Sequence, residues 1–281
     1  MRDKPNVREV SMTGNQLTEQ VKDFVLKEIK ADLVGIAPIE RFEQAPPGYK
    51  PQDILPVAKS VIVFAFDSLE STMVSNCPRT YQLRYTGLRE RCQTVGYDLG
   101  RFLERRGYYG VHMPSTAPLD IGPEKRGVFG DFSYRHAAVA AGLGELGWNQ
   151  ILLTPQFGPR VWLMAVITNA ELRPDPVYHG PKLCLEDKCR KCVDNCPQNA
   201  LSPGVPTDKR KCVRSEGEYG LYGLLKHLKN IAEEPDPEKR KDLILGPATW
   251  ALWMALQFGG GPSHCNACVK FCPVGLRVPT R

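Results

Sequence analysis

Cys189-x2-Cys192-x3-Cys196-Pro197 and Cys265-x2-Cys268-x3-Cys272-Pro273 repeat one spacing twice within the C-terminal third of the chain. Cys184 precedes the first copy at a slightly widened spacing and Cys212 stands upstream of the second. Eight of the ten cysteines therefore fall between Cys184 and Cys272, while Cys77 and Cys92 stand alone. Disulfides rarely persist in a reducing compartment, so clustered cysteines of this kind point to metal and not to a disulfide framework. A segment organised this way is built around its ligands, and the remainder of the chain must supply the apolar core.

Cys-x2-Cys pairs also build zinc ribbons. Zinc, however, gives no reason for a Cys-x3-Cys-Pro ending, and here that ending occurs twice. The spacing is that of bacterial two-cluster ferredoxins, in which the cysteine before proline ligates the other [4Fe–4S] cluster. That crossing assigns Cys184, Cys189, Cys192 and Cys272 to one cluster. Cys196, Cys212, Cys265 and Cys268 hold the second, and none is left over. The 52 residues between Cys212 and Cys265 exceed what a compact ferredoxin needs. They carry helical patterns over 219–232 and 243–256, and packing of the second helix accounts for Trp250 and Trp253. The formal charge of +6 counts cysteines as neutral. A [4Fe–4S] core with four thiolates carries about −2, so two of them bring the chain to about +2 and weaken the case for nucleic acid.

With 281 residues and 42% apolar content, the chain can bury a core. No apolar run of about 18 residues occurs, so no transmembrane helix and no membrane association is expected. The first residues, MRDKPNVREVSMTGNQ, lack an apolar signal core and a twin-arginine pattern, which gives a cytoplasmic expectation. Leu17, Val21, Phe24, Val25 and Ile29 recur at helical spacing over 15–31. The runs 33–36 and 60–66 (SVIVFAF) read as buried strands. Leu88, Cys92, Val95, Leu99, Phe102 and Leu103 share one face of a long helix, which makes Cys92 a core residue. Residues 108–113 read as a strand and 133–141 as an alanine-rich helix. The runs 151–154 and 160–168 read as a β-hairpin about a Pro-Gln-Phe-Gly turn. The expected fold is α+β over 1–170, then a ferredoxin-like domain over 171–281 with a helical insert at about 213–262. The proline-rich stretch 171–183 is the linker.

A bare ferredoxin would not need 170 residues in front of it. Gly142, Leu143, Gly144 and Gly147 in AGLGELG, with Phe157 and Gly158 in TPQFGPR, allow backbone to approach a large flat ligand. They do not match the dinucleotide fingerprint. These two segments, the doubled cysteine motif, ADLVGIAPIERF and AKSVIVFAF together resemble the cobalamin-dependent reductases, that is, reductive dehalogenases and epoxyqueuosine reductases. The resemblance spans nearly the whole chain. It implies a nitroreductase-like α/β domain holding cobalamin at those six positions, with one cluster beside the corrin. It also implies a base-off cobalamin with no protein histidine on cobalt. In keeping with that, none of His112, His136, His179, His227 and His264 lies in a D-x-H-x-x-G loop.

Trp148 and Trp162 stand where the family pattern has arginine. GDFSYRHAAVAAGLG replaces the aspartate-centred segment of epoxyqueuosine reductases. These departures leave the substrate open. The leading expectation is a reductase of a small organic molecule, fed by an external low-potential donor such as a ferredoxin or flavodoxin. A tRNA substrate, a flavin in the same fold, and an electron carrier serving a corrinoid partner are the alternatives. Such a reduction uses a proton donor steadied by a cation. Tyr134 and Asp131 before the glycine turn, and Arg160 in the GPR segment, are the catalytic candidates. Tyr85 and Tyr97 are rivals for the acid, and Asp131 could instead cap the helix beginning near Ser133.

Overall fold

The computed structural model describes residues 14–114, 130–213, 221–258 and 265–277. In chain order, α1 (Gly14–Asp23) runs into a π-helical turn and is followed by β1 (Leu33–Pro38) and the turn-length α2 (Pro51–Ile54). Next come β2 (Ser60–Asp67), the short α3 (Ser71–Val74), the long α4 (Pro78–Glu104) and β3 (Gly110–His112). Then α5 (Tyr134–Ala140), β4 (Glu145–Leu146), β5 (Leu152–Leu153) and β6 (Val161–Thr168) complete the sheet-bearing part. The cysteine-rich part holds α6 (Lys191–Asp194), α7 (Lys209–Val213), α8 (Leu221–Glu233), α9 (Pro237–Leu245), α10 (Pro247–Phe258) and α11 (Ala267–Lys270).

Four strands form an antiparallel sheet in the order β1-β2-β6-β3. The apolar run of β2 is continuous because both faces of this strand are covered. Ile62, Phe64 and Phe66 face α1 and α4, packing with Leu17, Val21, Cys92, Leu99 and Leu103. Val61 and Val63 face α5, packing with Ala137, Ala138 and Ala141. Each fully buried Phe, Ile or Leu on this sheet stabilises the fold by about 1.5–3 kcal/mol. Cys92 lies in this core, and burial pushes its thiol up to about 12, against a small opposing effect of Arg91. It is a core residue, as its helical position foretells.

The expected hairpin over 151–168 does not form. β5 pairs with β4 instead, and only an isolated Thr154–Gly158 bridge closes the intervening turn. The reason is topological: β6 lies between β2 and β3, so both its edges are taken. Stretch 171–183 is a pinned strap more than a free linker. Asp175 exchanges backbone bonds with Ile36 through N–H donation to Ile36 O at 2.9 Å and acceptance from Ile36 N at 2.9 Å by its carboxylate. The same carboxylate pairs with Lys22 at 2.5 Å.

In the helical insert, α9 begins between the two expected patterns and overlaps the second only over 243–245. Its charged sequence has no apolar stripe, but Asp236 caps it by accepting from Glu238 N and Lys239 N, with Pro237 at the first position. Trp250 and Trp253 are not packed as expected: they are 63% and 46% exposed and meet edge-on at 5.8 Å. α10 buries Leu252 instead, and Thr249 joins His227 at 2.8 Å. Among the described residues no helix is long and apolar enough to cross a membrane.

Candidate redox site

The chain path brings Cys184, Cys189 and Cys192 from the strap and α6 against Cys272 from beyond α11. These four thiols line one cavity of about 30 Å³, walled by Trp148, Leu153 and Leu185. That is more room than one water occupies. Glu145 fixes the entry by accepting from the Leu183 and Cys184 N–H groups, each at 2.8 Å. The Trp148 N–H points at Cys184 Sγ at 3.5 Å. Burial pushes the Cys272 thiol up to about 11, with the Val274 backbone and Arg160 opposing and Cys192 and Cys189 adding to the rise.

The second group gathers around Cys268. Burial pushes its thiol up to about 12, reinforced by Cys265, Cys212, Cys192 and Cys196 in that order. Crowded thiols of this kind become thiolates only beside a cationic partner. The Ala200 N–H reaches Cys196 Sγ at 3.3 Å, and Asn149 donates to the Cys268 carbonyl at 3.3 Å, tying this group to the sheet domain. Among the described residues no three Cys, His, Asp or Glu side chains converge as a single metal ion requires.

Arg160 stands elsewhere than a substrate cation should. It is 2% exposed, and its guanidinium donates to the Val274 carbonyl at 2.7 Å and to the Cys272 carbonyl, with Glu70 at 3.9 Å. Its charge therefore holds the loop of the last cysteine, and the catalytic assignment gives way to a positioning one. Arg160→Gln should leave one of these carbonyls without its donor and cost about 1–3 kcal/mol. The first cysteine group should then lose iron faster to a chelator than the second. Equal loss from both would reject the clamp.

The glycines also acquire a different reason. Gly158 has φ of +55°, and a Cβ there would lie 1.9 Å from the Val274 carbonyl oxygen. At Gly142 a Cβ would lie 2.0 Å from the Pro176 oxygen, and at Gly144 it would meet the Leu153 oxygen. At Gly147 the nearest atom is Asn149 Oδ1, while Leu143 is buried against α5. The Phe157 backbone meets Gly275. Close approach exists at these positions: at Gly142 to the strap, at Gly158 to the cysteine loop, and at Gly144 and Gly147 to residues 149–153.

Tyr134 and Asp131 are near one another, at the start of α5. The Tyr134 hydroxyl donates to the Pro114 carbonyl. Burial pushes its pKa above the ordinary value, with Cys92 and Asp131 adding to the rise. Asp131 is exposed and caps nothing among the described residues; Ser133 is the N-cap, and its hydroxyl meets His136 Nδ1 at 2.6 Å. Tyr134 lines a cleft of about 500 Å³ with Arg41, Phe42, Phe132, Arg135 and Lys209. Lys209 opens α7, whose Cys212 belongs to the second thiol group, so the cleft adjoins that group. Arg160 does not line it. Of the rival acids, Tyr85 sets its ring edge-on against Trp162 at 4.7 Å, whereas Tyr97 is 56% exposed beside His112.

A feature not anticipated from the sequence lies where α4 passes the ends of β2 and β6. Ser68 Oγ, Arg84 Nε and Trp162 Nε1 are buried there without a hydrogen-bond partner. Arg84 lies over the Tyr81 ring at 4.3 Å and reaches toward the Ser68 carbonyl at 3.5 Å. Burial raises the Tyr81 pKa; Arg84 opposes this, and Cys268 and Cys265 add to it, which puts this polar patch against the second thiol group. Partnerless buried donors are costly and mark a place for a missing partner. No periodicity marks them, because each residue reads as ordinary packing.

No family model matches the chain. It is 32% identical over 183 residues to the tetrachloroethene reductive dehalogenase of Desulfitobacterium hafniense, covering 61% of this chain and 28% of that protein. It is also 32% identical over 167 residues to the epoxyqueuosine reductase of Bacillus cereus, covering 58% of this chain and 41% of that one. The chain thus spans less than half the length of these curated relatives. Among solved structures, epoxyqueuosine reductase with an epoxyqueuosine-modified tRNA-Tyr stem loop matches at a TM-score of 0.57 and 21% identity. That match covers 94% of this chain and 66% of the other. The chain is a relative of these two groups of reductases and shares their mixed α and β fold.

Proposed function

We propose that this chain is a cobalamin-dependent reductase in which two [4Fe–4S] clusters deliver single electrons to the bound cobalamin. The observation that carries the reading is the pairing of two four-thiol groups with a patch of partnerless polar atoms beside the second. Four thiols that line one cavity, in a doubled Cys-x2-Cys-x3-Cys-Pro spacing, favour a polynuclear group over zinc. Cys184, Cys189, Cys192 and Cys272 would hold the first cluster in a ferredoxin-like domain over 171–281. Cys196, Cys212, Cys265 and Cys268 would hold the second.

The residues present fit a corrin at the polar patch. Arg84 Nε, Trp162 Nε1 and Ser68 Oγ would hydrogen-bond its peripheral amides and relieve their buried, unpaired state. Cobalamin bound there would supply a low-potential metal centre for reduction of an organic molecule. The chain's part is to deliver electrons through the thiol-held clusters, exclude water, and supply a proton. Tyr134, steadied by the cations of its cleft, is the proposed donor. A ferredoxin or flavodoxin is the external electron source, and a small organic molecule is the substrate. The tRNA-bound neighbour favours one other reading, reduction of a modified tRNA base.

The test is on anaerobically purified protein. It should carry about eight iron and eight sulfide per chain, with broad absorbance that bleaches on reduction. Added cobalamin should bind with a base-off spectrum. About four iron, stoichiometric zinc, or retained flavin with no response to cobalamin would reject the reading.

A further inference from the structure

The turn after β2 carries two carboxylates that the redox reading does not use. Asp67 closes β2, and Glu70 stands three residues on. Between them Leu69 takes a φ of +33°, a strained value for a residue with a Cβ. Such strain persists only where the surroundings fix the backbone around it. Here they do. The Asp67 N–H donates to Asp32 Oδ2 at 2.7 Å, and the Ser68 N–H donates to the Arg160 carbonyl at 2.9 Å. Both carboxylates then meet Arg277, five residues beyond Cys272. Its guanidinium grips Asp67 with two parallel bonds, Nη1 to Oδ2 at 2.7 Å and Nη2 to Oδ1 at 2.9 Å. Its backbone N–H donates to Glu70 Oε1 at 2.9 Å, and the same oxygen lies 3.9 Å from Arg160 Nε. Glu70 is buried between the two arginines.

We infer that Asp67, Glu70 and Arg277 form a latch that positions the loop of the last cysteine and sets the charge around the first cluster. The loop from Cys272 to Arg277 is fastened at both ends. Arg160 takes the Cys272 and Val274 carbonyls at one end, and the two carboxylates take Arg277 at the other. Between them Gly275 adopts a φ of +65°, and a Cβ there would lie 2.2 Å from Gly158 N. Arg277 also lies over the Phe157 ring at 5.2 Å. Cys272 is the one thiol of its group that comes from the second motif, so its place beside the others depends on this fastening. A bidentate arginine–carboxylate pair is the strong and geometrically specific form of such a tie. A cluster gains negative charge on reduction, so a nearby cation raises its potential and a nearby carboxylate lowers it. Arg277 and Asp67 are therefore positioning residues whose charges act on the cluster in opposite senses. The inference rests on the two-cluster reading for the identity of the group that the loop holds.

Redox titration of the anaerobic, cluster-loaded chain is the experiment, read on the reduced-cluster signal that Cys272→Ser removes. Arg277→Gln should lower the potential of the first cluster and Asp67→Asn should raise it, with the second cluster moved less. Arg277→Lys keeps the charge but not the planar fork, so its potential should stay near that of the unaltered chain. All three variants should lose first-group iron to a chelator faster. The factor should be roughly three- to tenfold, because Arg277 is 41% exposed and solvent weakens the pair. Iron retained by the second group checks that each variant is folded. Potentials that move the same way in Arg277→Gln and Asp67→Asn, or move in neither, would overturn the charge assignment and leave plain structural support. Iron loss unchanged in all three would overturn the latch. About four iron or stoichiometric zinc in the unaltered chain would sink the two-cluster reading alone, and metal release to the chelator would still test the latch.

Discussion

Replacing Cys272 by serine will remove the cluster proposed for Cys184, Cys189 and Cys192 and spare the one proposed for Cys212 and Cys265. Cys272 lies in the second copy of the motif, so a reading by sequence proximity gives the opposite outcome. The geometry favours the crossed assignment: Cys272 lines the cavity of the first three thiols, and Arg160 and Gly158 hold its loop there. Serine keeps the loop's backbone contacts but offers a hydroxyl with a far higher pKa than a thiol, and so a poor ligand for iron. Iron per chain should fall from about eight to about four, with one of two reduced-cluster paramagnetic signals lost. Turnover should fall to background, since the electron path is cut. Loss of the signal that Cys212→Ser also removes would reverse the partition.

Tyr134→Phe should slow substrate reduction by roughly 10²-fold, the scale of a lost general acid, with both clusters and cobalamin still bound. The hydroxyl now donates to the Pro114 carbonyl, so its loss should cost only about 1 kcal/mol of stability. Because burial raises its pKa above the ordinary 10.0, Tyr134 keeps its proton through neutral and mildly alkaline pH. It suits a strongly basic developing carbanion better than a weakly basic leaving group. No alkaline fall in rate below about pH 10 should therefore trace to it. Tyr97→Phe is the matched control, since Tyr97 is exposed beside His112 and away from the cleft. A rate lost in Tyr85→Phe and kept in Tyr134→Phe would move the donor to the Trp162 side. Unchanged rates in all three would leave Asp131 as the remaining candidate, and an electron carrier would be indifferent to every one of them.

Where one local pattern matches one burial environment, the sequence was readable. SVIVFAF could only be a strand covered on both faces, and the 3.6-residue recurrence through Cys92 and Leu99 marked the buried side of α4. Each Cys-x2-Cys turn is local in sequence, and the structure gathers Cys184, Cys189, Cys192 and Cys272 around one cavity. What escaped was set by competition between distant elements. The run 151–154 was a sound strand, but its partner depended on β2 and β3 already occupying β6. α9 escaped because periodicity was sought where only the Asp236-Pro237 cap was informative. Trp250 and Trp253 looked like core by residue type, yet α10 turns Leu252 inward and leaves both rings exposed. Arg160 and the glycines were recognised as special, but their partners at Cys272, Val274 and Pro176 lie too far along the chain for spacing to reveal.

The exchange of cysteines between the two motifs also sets a timetable. Cys192 and Cys272 are separated by 80 residues of sequence. At bacterial-to-eukaryotic elongation rates of about 5–20 residues per second, that is roughly 4–16 seconds of synthesis. Throughout that interval the nascent chain displays three thiols of the first group with no fourth, and Cys196 waits for Cys212, Cys265 and Cys268. Neither cubane has a complete socket until the last motif has emerged. Under the proposed partition iron delivery is thus a late, paired event, and a ribosome that stalls before Cys265 releases a product unable to keep either cluster.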